Sequence, residues 1–78
     1  MKLVVLDELC TKEHRTWTGE IVKIGINPAQ IDCVEEIKMR EHLTPCSKVI
    51  FFTKMSARDV YCEGSVEEIV IKINESLK

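Results

Sequence analysis

The sequence predicts an α+β fold: a small, bent antiparallel sheet of four or five strands, a partial barrel, closed by a C-terminal helix. Three stretches carry that expectation. Residues 48–55 alternate Val49, Phe51, Thr53 and Met55 on one side with Ile50 and Phe52 on the other, so both faces of this strand are apolar. A polar break follows, Ser56-Ala57-Arg58-Asp59, and β character resumes at Val60-Tyr61-Cys62. Ser65-Val66-Glu67-Glu68 then reads as a capping box. There Ser65 accepts from the Glu68 backbone N–H, and the Glu68 carboxylate reaches back to the Ser65 N–H.

The closing helix is the most fully written element. Two carboxylates in its first turn suit the positive end of the helix dipole. Val66, Ile69, Val70, Ile73 and Leu77 recur at helical spacing as one apolar stripe, with Glu68 and Lys72 paired on the wet side. Ile71 lies off the stripe, and a second subunit is one way to cover it.

The remaining elements follow in order. Residues 3–9 read as a first strand, apolar on both faces as far as Leu6. Residues 10–15 are polar and charged, a loop. A second strand spans residues 16–24, with Gly19 as a bulge and Trp17 assigned to the core. Asn27-Pro28 is a turn initiator. Residues 30–36 suit a third strand, although Ile31, Val34 and Ile37 also fit one side of a short helix with Pro28 in its first turn. Residues 37–46 form a long polar loop, a common place for function.

Seventy-eight residues make a single domain, residues 1–78, without room for a second core. Chains of this size bury only about 60% of their unfolded surface, so a partner, a disulfide or a metal would help. The formal net charge is −2, with both signs scattered along the chain. No basic cluster suits a phosphate backbone, so nucleic acid is not an expected partner. No run approaches the roughly 20 apolar residues of a membrane span. The N-terminus lacks a signal-peptide core, and the expected location is cytoplasmic. The four cysteines, Cys10, Cys33, Cys46 and Cys62, are therefore expected as reduced thiols.

Two small groups of residues have the right types for chemistry. Cys10 with His14, and His42 with Cys46, are two Cys/His pairs, each separated by three residues. Cys₂His₂ is a structural zinc set, and loops at one end of a four-strand meander would bring these four together. The spacing lacks the tight Cys-x-x-Cys knuckle, and the preferred reading is exposed histidines and free thiols, with no metal and no cofactor. Cys46 beside His42 is the one conceivable nucleophile and base, but no oxyanion donor or glycine-rich turn accompanies them. Asp7-Glu8, Glu35-Glu36 and Glu67-Glu68 are adjacent pairs, and adjacent strand residues point to opposite faces.

Several segments follow in a recognisable order: Ile26-Asn27-Pro28-Ala29-Gln30-Ile31, Val34-Glu35-Glu36, Val49-Ile50-Phe51, Gly64-Ser65-Val66-Glu67-Glu68-Ile69 and Lys72-Ile73. In these the chain resembles the small FlbD-like family of flagellar-operon and swarming-motility proteins. The resemblance spans about two thirds of the chain and implies a short β-rich fold, in a family with no established enzymatic activity. Two departures stand out: longer loops at residues 10–15 and 37–46, and no glycine in the turn at residues 56–59. The fold is what carries over.

The functional expectation is a non-enzymatic protein-interaction or regulatory module that self-associates as a homo-oligomer, most simply a dimer. Both sheet faces carry apolar groups, and Ile71, Phe52 and Ile50 are its expected partner-binding residues. The alternatives are a zinc-stapled Cys/His regulatory domain able to bind nucleic acid, and a small cysteine enzyme using Cys46.

Overall fold

The structure, a computed structural model, describes residues 2–78. The chain forms β1 (Val4–Lys12), β2 (Thr16–Ile26), β3 (Ile31–Ile37), β4 (Cys46–Phe52), β5 (Ala57–Glu63) and α1 (Val66–Leu77). The five strands make one antiparallel sheet in the order β2-β1-β5-β4-β3. The two outer strands do not pair with each other, so the sheet is open and does not close into a barrel. The expected α+β class, the strand at residues 30–36 and the closing helix are all present.

The strand order differs from a four-strand meander. β1 and β2 form one hairpin, and β3, β4 and β5 form a separate meander. The two units join where β1 meets β5, at the single register pair Glu8↔Cys62. Boundaries also move. Residues 10–12 extend β1, and the turn shrinks to Glu13–Arg15, with His14 and Arg15 at positive φ. β4 stops at Phe52 because the Thr53 side chain turns the chain: its Oγ1 donates to the Ser56 carbonyl at 2.8 Å. Thr53 and Met55 therefore leave the strand face predicted for them.

Strand alternation sorts the apolar residues onto two faces. On the inner face Val4, Leu6, Ile26, Val49, Phe51, Val60 and Cys62 pack around Ile69 of α1. On the other face Leu9, Met39 and Cys46 form a smaller cluster with Trp17, Ile37 and Tyr61. The second face is thus partly covered by the β3–β4 loop, which supplies Met39. Trp17 joins this core, as expected.

The capping box has both of its bonds. Glu68 N–H donates to Ser65 Oγ at 3.2 Å, and Ser65 N–H donates to Glu68 Oε1 at 3.4 Å. Just before it Gly64 has φ +116°, and an added Cβ would lie 3.5 Å from Ile69 Cδ1. Glycine is the residue that accepts this backbone without strain. Buried Ser47 stays satisfied by donating to the Gly64 carbonyl at 2.9 Å. Of the helix stripe only Ile69 is fully buried, while Val70 and Leu77 are exposed. At the other break Asn27 Oδ1 accepts from Ala29 N–H at 3.0 Å, the local bond by which Asn-Pro starts a turn.

Candidate functional site

The β3–β4 loop carries the densest polar contacts. His42 is nearly enclosed, with 4% of its side chain exposed. Its Nε2 lies 2.6 Å from Glu63 Oε2, and its ring meets Trp17 edge-on at 4.9 Å between centroids. Thr44 Oγ1 donates to Glu63 Oε1 at 2.6 Å and lies 3.2 Å from His42 Nε2. Backbone bonds fasten the same loop to the β1–β2 hairpin: Arg40 N–H donates to the Arg15 carbonyl, and Trp17 N–H donates to the Arg40 carbonyl at 2.9 Å. A cleft of about 420 Å³ opens beside His42, between the loop and the first turn of α1.

This group resembles a hydroxyl–imidazole–carboxylate relay in composition but not in wiring. A relay uses both ring nitrogens, one toward the hydroxyl and one toward the carboxylate. Here Thr44 and Glu63 crowd the same nitrogen, and His42 Nδ1 is buried without a partner. Cys46 does not meet His42 either. Its thiol donates to the Ile37 carbonyl at 3.3 Å, and burial, with Glu63 nearby, pushes its pKa up. A thiol held protonated is a weak nucleophile. The arrangement suits a clasp that closes the loop over Leu9 and Trp17.

The four residues of the zinc alternative do not converge. His14 is exposed in the hairpin turn and Cys10 is half-buried on β1, while His42 and Cys46 are committed as described. Among the described residues no three His, Cys, Asp or Glu side chains gather as a metal would require. All four cysteines are free.

The three expected partner-binding residues fall on two sides of the molecule. Ile50 is half-buried and Phe52 is 49% exposed, both on the sheet face away from α1. Ile71 is 57% exposed on the outer side of α1. They cannot form one patch. The face around Ile50 and Phe52 is also crossed by charge, with Lys48 Nζ 3.4 Å from Asp59 Oδ2.

Sequence reasoning missed a surface on β2. This strand is one edge of the sheet and pairs only with β1. Arg40 covers its first residues; beyond Trp17 the described residues place no second strand against it. Ile21 and Val22, on opposite faces, are 48% and 45% exposed. The only signal in the sequence is Ile21-Val22-Lys23-Ile24, apolar on both faces, and without the strand order it cannot be told from a central strand. No helix among the described residues is long and apolar enough to cross a membrane. No protein family, curated protein or solved structure matches the chain.

Proposed function

We propose that this protein is a non-enzymatic interaction module that works by self-association, most simply as a homodimer in the cytoplasm. One observation carries the reading: beyond Trp17, β2 is an edge strand with no second strand against it among the described residues and with apolar residues exposed on both faces. A row of unpaired backbone N–H and C=O groups beside exposed Ile and Val is a template for another strand. Small size supports it, since a second copy would add burial to a core of few residues. The His42 clasp supports it from another direction, because its wiring serves packing rather than proton transfer. The resemblance in motif order to the FlbD-like family makes motility proteins the first place to look for further partners.

Sedimentation equilibrium over a micromolar concentration range tests the reading. A reversible increase in mass from 9.0 kDa toward twice that value is expected. A monomer at every concentration, with unfolding independent of concentration, would contradict it.

A further inference from the structure

We infer that the self-association just proposed, on which this inference rests, is an antiparallel pairing of two β2 strands about a two-fold axis at Ile24. Such an axis runs perpendicular to the sheet and keeps each face on its own side. Opposed residues must therefore share a face, and the axis must pass through a residue. Charge and apolar matching then reduce the possible registers. An axis at Glu20 or Lys23 sets like charges directly opposite, which is destabilising. An axis at Ile21 sets Val22 against Glu20, and one at Val22 sets Ile24 against Glu20. An axis at Gly25 carries Val22 past Ile26, where β2 ends, and leaves it without a strand partner.

The axis at Ile24 avoids all of these. Ile24 meets its own copy, Val22 meets Ile26 in both directions, and Lys23 meets Gly25. Val22, Ile24 and Ile26 share the face of β2 that continues the main core, with exposure falling from Val22 through half-buried Ile24 to buried Ile26. Pairing in this register prolongs that core across the axis, and the end of β2 at Ile26 limits it to residues 22–26.

The other edge is unsuited to the same use. β3 carries Asp32, Glu35 and Glu36 within seven residues and no cation, and its register slips between Ile31 and Cys33. Like charges and a bulge are devices that keep edges apart.

Val22→Lys tests the register with little risk to the fold, because Val22 lies opposite Glu8 in its own chain and the new lysine gains a partner there. In the dimer the same lysine faces Ile26. Sedimentation velocity is expected to show a dissociation constant raised more than about tenfold by Val22→Lys. Phe52→Lys and Ile71→Lys should leave it unchanged. A dimer indifferent to Val22→Lys, a dimer broken by Phe52→Lys or Ile71→Lys, or assembly beyond two chains would overturn the inference while self-association stood. A wild-type monomer would instead remove the reading beneath it. Should Val22→Lys fail to fold, Ile24→Cys in a Cys10→Ser, Cys33→Ser chain gives a second readout. A short bis-maleimide should link Cys at 24 to its copy faster than it links the corresponding Val22→Cys chain; the reverse order would overturn the register.

Discussion

Ser65 holds the start of α1, and its side chain satisfies a backbone donor that otherwise has no intrahelical partner. Ser65→Ala is expected to cost about 1 kcal/mol, read as a lower urea midpoint. An unchanged midpoint would mean that the cap contributes nothing. Cys62 makes a second residue-scale prediction. Burial, reinforced by Glu8 and Asp7, pushes its thiol up to about 12 from an ordinary 9.0. The folded pKa is raised, so this contribution to stability is complete below the unfolded value and fades as pH rises from about 9 toward 12. Urea midpoints should fall over that range, and Cys62→Ala should flatten the fall. A decline of the same size in Cys62→Ala would show that other groups cause it. Asp7 behaves oppositely. Its hydrogen bond to Lys23 Nζ, 2.6 Å away, holds the carboxyl below its usual range, so its contribution is lost on acidification. The capping box was legible residue by residue because all of its partners lie within one turn. The His42–Glu63 clasp was not, because its partners lie 21 positions apart in the sequence.

At the scale of elements, alternation places Cys62 and Cys46 inside the sheet while Cys10 and Cys33 remain half-buried. Native-state thiol labelling should modify Cys10 and Cys33 first, with Cys46 and Cys62 reacting only as the protein opens. Early labelling of Cys62 would contradict the inner-face assignment. Periodicity identified the closing helix and most of the strands, since a period of two or 3.6 is written in consecutive residues, but at residues 30–36 it fitted a short helix as well as the strand that forms. It misplaced the end of β4, where the Thr53 hydroxyl turns the chain although Thr53 and Met55 keep the strand pattern. Periodicity also says nothing of strand order. That β2 rather than β1 lies at the edge follows from long-range pairing of β1 with β5.

For the whole molecule, one helix and one loop cover part of a two-faced sheet, and exposed apolar groups remain on β1, the loops and α1 as well as at Ile21 and Val22 of β2. Ile71, Phe52 and Ile50 were reasonable candidates by hydropathy, but the fold scatters them to opposite sides, where Phe52 and Ile71 stand as single exposed side chains. β2 differs because exposed apolar groups there accompany unpaired backbone. Residue-resolved amide exchange at low and high protein concentration tests the β2 pairing most directly. At high concentration, amides of residues 22–26 that point away from β1 should slow markedly, while those on the free side of β3 stay fast. Equal exchange along β2 at both concentrations, or slowing on β3 instead, would contradict it.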